Sequence, residues 1–78
     1  MRPNPHEILA FNMRRLRQER GWSQEHLGIE TDLHRTYIGA VERQERNPSL
    51  ASLEKIAVAF GVETWELLYP SSKARSSK

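Results

Sequence analysis

Apolar residues recur along this chain at helical spacing, and no stretch shows the alternation of a β-strand. The first apolar stripe, at positions i, i+4 and i+7, consists of Leu9, Met13 and Leu16. This spacing predicts a first helix that runs to about Arg20, with Asn4 as its cap and Pro5 in its first turn. Gly21 is placed to end that helix in the left-handed conformation. Phe11 points away from the stripe.

A second helix over residues 24–30 and a third over residues 35–43 are predicted next. Ser23 stands where a cap of the second helix belongs, because its hydroxyl can accept from the free N–H groups of the first turn. Asp32 lies in the short link and tolerates a left-handed backbone better than most residues. The two helices therefore form a closely connected pair.

Two further helices complete the prediction. Residues 47–49, Asn-Pro-Ser, interrupt the chain, and Ser49 is placed to cap a fourth helix. The apolar stripe of that helix is Leu50, Leu53, Ile56, Ala57 and Phe60. Gly61 ends it, and a last short helix covers about residues 63–69. The predicted fold is all-α, with five helices.

The length of 78 residues suits one modest core. Residues 1–70 are expected to form that domain, and residues 71–78 a flexible basic tail with nothing to bury. The chain has no cysteine, so it has no disulfide and its stability rests on packing, as is typical of a reducing interior. No apolar run reaches the roughly 18 residues of a membrane span, and no signal peptide is recognisable. A cytoplasmic location is expected.

The net charge is only +2, yet nine of the twelve basic residues are arginine. Arginine suits bidentate contacts to phosphate or guanine better than lysine does. Acidic residues are interleaved with the arginines and nearly cancel them. An ordinary solvated surface is therefore the alternative to a binding face.

The third helix divides into two faces at about 100° per residue. Tyr37, Ile38 and Val41 share one arc, and the opposite arc of about 140° holds Arg35, Thr36, Gly39, Ala40 and Arg43. A glycine inside a helix costs roughly 1 kcal/mol relative to alanine, so some gain must offset Gly39. We expect small residues to let the second face approach a DNA major groove. The alternative is that Gly39 and Ala40 seat another helix of the same core.

The segment QEHLGIETDLHRTYIGAVE, residues 24–42, resembles the helix-turn-helix of the phage-repressor-like (XRE) family. The resemblance extends over residues 9–68 and implies a compact, lambda-repressor-like domain. Gly28 and Asp32 depart from the family's usual alanine and turn glycine, and both remain compatible with the motif. The sequence from Leu33 to Asn47 is most similar to the controller proteins of restriction-modification systems, which are small dimeric regulators of their own operons.

We predict base contacts from one face of the third helix. The guanidinium of Arg35 can meet O6 and N7 of guanine together, the alternative being a solvent-exposed arginine at the helix start. Thr36 offers a methyl group to thymine, and contact with a phosphate is its alternative. Ala40 and Arg43 lie farther along this face, where Arg43 is expected to touch a phosphate or a flanking base. Glu25 has three possible roles: to position Arg35, to accept from cytosine, or to favour the positive end of the second helix.

Phosphate contacts are expected around this face. Gln24 lies at the start of the second helix, where free N–H groups and its amide side chain suit a phosphate oxygen. The resemblance adds further contacts to the DNA backbone, and the full set is Ser23, Gln24, Tyr37, Arg46, Asn47 and Ser49. Tyr37 can equally be a core residue. The resemblance also implies a largely buried ion pair between Arg17 and Glu42.

A single recognition helix reads few bases, so two copies of the chain are expected to bind together. The apolar residues left after the core is filled form the predicted two-fold interface: Val58, Phe60, Trp65, Leu68 and Tyr69. Closure of the monomer core is the alternative for each of them. Phe11 is either a satellite of this interface or a lone exposed aromatic.

These features predict a homodimeric regulator that binds operator DNA, with RNA polymerase as a further candidate partner and no membrane, metal or cofactor. No nucleophile elbow, acidic pair or glycine-rich phosphate loop is present, so we expect no enzymatic activity. His26 and Glu30 have a spacing that suits a metal pair, but surface residues are the simpler interpretation. The alternative function is an antitoxin, although the chain has little spare length to wrap a toxin.

Overall fold

A computed structural model describes residues 4–70, which form five helices and no strand. The helices are α1 (Pro5–Glu19), α2 (Gln24–Thr31), α3 (Arg35–Glu42), α4 (Leu50–Phe60) and α5 (Thr64–Leu67). The predicted five-helix, all-α fold is therefore confirmed, with boundaries shifted by one or two residues. The predicted tail, residues 71–78, lies outside the described residues.

Side chains cap the first four helices. Asn4 and Glu7 form a reciprocal capping box at α1. The hydroxyls of Ser23 and Ser49 accept from backbone N–H groups at 2.9 and 3.0 Å, which starts α2 and α4. The imidazole of His34 does the same for α3, with Nδ1 accepting from the N–H of Thr36 at 3.0 Å. The residues that follow α1, α2 and α4 have a left-handed backbone: Gly21, Asp32 and Gly61.

All five helices contribute to one core. Its buried apolar residues are Leu9, Met13, Leu16, Leu27, Ile38, Val41, Leu53, Ile56, Ala57, Phe60 and Leu67. α4 packs against α2 and α5, and α1 packs against α3 and α5. Leu50 is an exception to the predicted stripe of α4. It is exposed because it opens that helix, one turn before the buried positions begin.

A buried amide joins α1 to the end of α5. Asn12 is only 1% exposed, and its Nδ2 donates to the carbonyls of Leu67 at 2.8 Å and of Tyr69 at 3.0 Å. The Glu66 carbonyl lies farther away, at 3.5 Å. The last carbonyls of a helix have no partner inside it, so this side chain satisfies groups that α5 leaves open.

No helix among residues 4–70 is both long and apolar enough to cross a membrane.

Replacing Asn12 with leucine should destabilise the protein by roughly 3 kcal/mol. The new side chain fills the same space but leaves buried carbonyls of α5 without a donor. Urea unfolding followed by circular dichroism measures the loss. Gln18→Leu, at an exposed position of α1, is the control and should change stability by less than about 0.5 kcal/mol. Equal stability of the two variants would contradict this role for Asn12.

Candidate nucleic-acid interface

The turn between α2 and α3 depends on a close approach at Gly28. Asp32 adopts φ 59° and ψ 36°, and the N–H of Leu33 then donates to the Gly28 carbonyl at 2.9 Å. A Cβ on Gly28 would lie 2.6 Å from the Leu33 carbonyl oxygen, closer than real side chains come. Glycine is therefore required at this position, and the departure from the family's alanine is part of how this turn closes.

A buried carboxylate fixes α3 against α1 and α2. Glu42 on α3 accepts from Arg17 Nε at 2.9 Å and Nη2 at 3.0 Å, a bidentate pair. It also accepts from Gln24 Nε2 at 3.0 Å. The side chain of Glu42 is 2% exposed and that of Arg17 is 14% exposed. Arg14 adds a bond to the Glu42 backbone carbonyl at 2.6 Å. The orientation of α3 therefore depends on side chains from two other helices.

Arg17→Met should destabilise the fold by about 3 to 5 kcal/mol, because it leaves the buried carboxylate of Glu42 without its charged partner. Thermal and urea unfolding measure the effect. Glu19→Gln breaks the exposed Arg15–Glu19 pair and is the control, with an expected change below about 1 kcal/mol. A stability of Arg17→Met close to that of the control would contradict the assignment.

The outward side of α3 carries most of the predicted base-contacting residues. Arg35, Thr36 and Arg43 are exposed, and Ala40 is half-buried between them. The prediction that Gly39 lies on this face was wrong, because Gly39 is buried and is not part of the exposed surface. A Cβ there would meet Gln24 Oε1 at 3.1 Å and Arg43 Nη1 at 3.0 Å. Gly39 thus provides room for two side chains of this protein, and the alternative of contact with a neighbouring helix is the correct one for it.

Both arginines of this face have a carboxylate partner. Nη1 of Arg35 lies 3.6 Å from Glu25 Oε1, so the structure agrees with a positioning role for Glu25. Arg43 donates from Nε and Nη2 to Glu45, each at 3.1 Å. These hydrogen bonds and the opposite charges raise the pKa of Arg43 and lower the pKa of Glu45. The exposed face therefore offers many donors but little net charge.

Four of the six residues predicted to contact phosphates are exposed: Ser23, Arg46, Asn47 and Ser49. Gln24 is half-buried and its amide donates to Glu42, so its side chain is held within the protein. Ser23 Oγ accepts from the N–H of His26, which leaves the N–H groups of Gln24 and Glu25 in the first turn of α2 for a phosphate. Tyr37 is half-buried and packs on the core, while the guanidinium of Arg46 lies 5.3 Å from the centre of its ring. The interpretation of Tyr37 as a core residue thus holds in part, and its contact to the DNA backbone stays a prediction.

Four of the five residues predicted for a dimer interface are exposed: Val58, Trp65, Leu68 and Tyr69. Phe60 is a correction, because it is 2% exposed and belongs to the core. Its ring stacks on Trp22 with 5.7 Å between centres, so the monomer itself uses this side chain. Trp65 and Tyr69 meet edge to face at 5.9 Å. Phe11 is exposed, as its place off the stripe predicts.

Three residues important to this region were not recognised from the sequence. His34 caps α3, Asn12 closes the end of α5, and Glu45 binds Arg43. Asn12 could have been recognised from the sequence, because it is a polar residue among the apolar positions of α1. The contact between Arg43 and Glu45 forms across Gln44, which has a left-handed backbone at φ 65°. No feature of the local sequence predicts that conformation. Within residues 4–70, no group of three or more His, Asp or Glu side chains could hold a metal ion.

Comparison with known proteins agrees with this geometry. The family model described as helix-turn-helix matches residues 13–67. A hypothetical transcription factor from Neisseria meningitidis is 49% identical over 63 residues, which are 81% of this chain and 59% of that protein. Control protein C.SmaI from Serratia marcescens is 48% identical over 62 residues, covering 80% of this chain and 74% of that protein.

A solved structure shows the same architecture. The crystal structure of the restriction-modification controller protein C.AhdI from Aeromonas hydrophila superposes with a TM-score of 0.76 at 40% sequence identity, over 80% of this chain and 94% of that one. The matched region includes both the α2–turn–α3 unit and the helices that support it. This chain therefore belongs to the helix-turn-helix (XRE-like) family, within which it is similar to restriction-modification controller proteins.

Proposed function

We propose that this protein is a sequence-specific transcription regulator that binds double-stranded operator DNA as a homodimer. The observation that supports the proposal most directly is the exposed face of α3, from which Arg35, Thr36 and Arg43 project. The same helix is fixed to α1 and α2 through the hydrogen bonds of Glu42. A helix with donors at its first turn and a small residue at its middle fits the width of a major groove. The protein acts by binding rather than by catalysis, as its relatives are regulators.

The position of α2 supports the same mode of binding. Its N-terminus begins beside α3, and the amide of Gln24 is bonded to Glu42 of α3. Free N–H groups in the first turn of a helix attract a phosphate oxygen, which carries no sequence information but sets the register of the protein on the duplex. Ser49 and Asn47, before α4, provide a second set of groups for the DNA backbone. Arg46, stacked on Tyr37, adds a positive charge.

A dimer is needed because one α3 helix contacts too few base pairs for useful selectivity. The exposed residues Val58, Trp65, Leu68 and Tyr69 lie on α4 and α5. Aromatic side chains of this kind are enriched in protein interfaces, and their exposure is unfavourable in an isolated monomer. We propose that a second copy of the chain covers them, so that two α3 helices meet successive turns of the duplex.

The biological role we propose is that of a controller of a restriction-modification system. The support is the similarity to C.AhdI, a restriction-modification controller protein, and to the control protein C.SmaI. The chain spans 59% of the length of the Neisseria relative, so it resembles only part of that protein. RNA polymerase is the further partner that an activating controller requires. Operator binding places the working site at the bacterial nucleoid, in the cytoplasm.

Arg35→Ala should reduce the preference for one operator while stability stays nearly unchanged. A bidentate contact to guanine gives about 1 to 3 kcal/mol of discrimination, which is roughly 5- to 150-fold in the ratio of dissociation constants. The operator is first selected from a randomised duplex pool with the wild-type protein. Fluorescence anisotropy then measures the ratio between that duplex and one with a substituted guanine.

Lys55→Ala is the matched control for Arg35→Ala, because it removes an exposed positive charge on α4 instead of α3. It should leave the ratio of dissociation constants unchanged. A large loss of stability in Arg35→Ala with selectivity preserved would reject the proposed base contact. If the wild-type protein enriches no sequence from the pool, the proposed function itself is wrong.

Trp65→Glu should convert the dimer to a monomer and weaken operator binding, because it places a charge in the apolar surface of α4 and α5. Sedimentation equilibrium measures the mass. Ile29→Glu makes the same change at an exposed position of α2, outside this surface, and should stay dimeric. A Trp65→Glu protein with the mass of two chains would show that the interface lies elsewhere.

A further inference from the structure

An exposed ion pair at the end of α3 has bidentate geometry. Arg43 donates from two nitrogens, Nε and Nη2, to the two carboxylate oxygens of Glu45, each at 3.1 Å. The two residues are only two positions apart, and the left-handed backbone of Gln44 between them, at φ 65°, turns the chain back. The side chains are 57% and 59% exposed, so both remain accessible to a large ligand.

The pair leaves one edge of the guanidinium open. An arginine has five N–H donors in a fixed plane, and the edge formed by Nε and Nη2 is occupied by Glu45. Nη1 lies over Gly39, 3.0 Å from where a Cβ would stand. The edge formed by Nη1 and Nη2 is not used by Glu45 and therefore still has donors to offer. The absence of a side chain at Gly39 lets the guanidinium lie there.

We propose that Glu45 is a positioning residue that makes Arg43 read DNA by hydrogen-bond geometry instead of by charge. This inference rests on the proposed operator binding. With Glu45 attached, Arg43 has a fixed orientation and the pair as a whole has almost no net charge, so Arg43 gains little from a phosphate in an arbitrary place. A pair of acceptors on one base edge, such as O6 and N7 of guanine, still meets the open donors.

The physical basis is the difference between the two modes of binding. Contacts to phosphates supply nearly all of the affinity for nonspecific DNA, and each neutralised phosphate adds about 0.9 to the dependence of log K on log salt. A carboxylate beside the DNA backbone cancels one such contact and repels phosphates. A bidentate base contact depends on orientation, which the carboxylate improves. Glu45 therefore lowers nonspecific affinity more than it lowers affinity for the operator.

A stabilising role is the competing explanation for this ion pair. Exposed pairs contribute little to the free energy of folding. The test must therefore compare two kinds of DNA and not only measure stability.

Glu45→Gln removes the negative charge and keeps the shape of the side chain. Dissociation constants are measured for the selected operator and for a scrambled duplex, at salt concentrations between 50 and 200 mM. We expect tighter binding to the scrambled duplex, a salt dependence steeper by about 0.9 for each bound chain, and a specificity ratio that falls at least about threefold. The unfolding curve should not move.

Glu19→Gln is the matched control. It removes the same charge from an Arg–Glu pair of the same 3.1 Å length, on α1 and outside the candidate interface. It should leave the specificity ratio unchanged. If both variants raise the affinity for the scrambled duplex equally, the effect is one of total charge and the inference is overturned. An unchanged or increased ratio in Glu45→Gln overturns it as well.

A second variant tests whether Glu45 acts through Arg43. In an Arg43→Ala background, Glu45→Gln should no longer change the specificity ratio, because the side chain that it positions is missing. A full effect in that background would show that the carboxylate repels DNA by itself, and would overturn the inference. If the wild-type protein shows no preference between the duplexes, the proposed function fails. A wild-type preference that Glu45→Gln preserves overturns this inference alone.

Discussion

The carboxylate of Glu42 is the group on which the orientation of the recognition helix depends. It is buried, and a buried charge is costly unless donors surround it. Arg17 from α1 and Gln24 from α2 supply those donors, whereas Glu42 itself belongs to α3. No one of the three helices can shift without breaking a bond to this group. The face of α3 is therefore held in one orientation before any ligand arrives, which reduces the entropy that binding must overcome.

Two glycines let these helices come close enough for that network. Gly28 allows the chain to fold back directly onto α2 at the turn, and Gly39 leaves the space in which the Gln24 amide lies. The result is an outward face with Arg35 and Arg43 at its two ends and Thr36 and Ala40 between them. Glu25 and Glu45 lie next to the two arginines, so the face provides hydrogen-bond donors without a large positive charge. This agrees with a net charge of only +2 for the whole chain.

Most of the fold was predictable because its boundaries are local. The side chains of Asn4, Ser23 and Ser49 cap their helices by accepting from N–H groups a few residues away. Asn and Ser are residue types that predict such caps. The left-handed ends at Gly21 and Gly61 follow from the lack of a Cβ. His34 escaped prediction because imidazole is an unusual cap. The exposure of Arg35 and Thr36 on the outward side of α3 followed from helical periodicity alone.

The sequence by itself determined the number of helices, their ends and which side of each is apolar, because these depend on interactions within a few residues. Only the tertiary structure decided how neighbouring helices share the remaining residues. Phe60 was predicted both on the stripe of α4 and in the interface, and the structure assigns it to the core, where its ring stacks on Trp22. Gly39 is covered by the side chains of Gln24 and Arg43. Asn12 is satisfied by carbonyls more than fifty residues away. Such assignments depend on distances between elements, which no local pattern of residues contains.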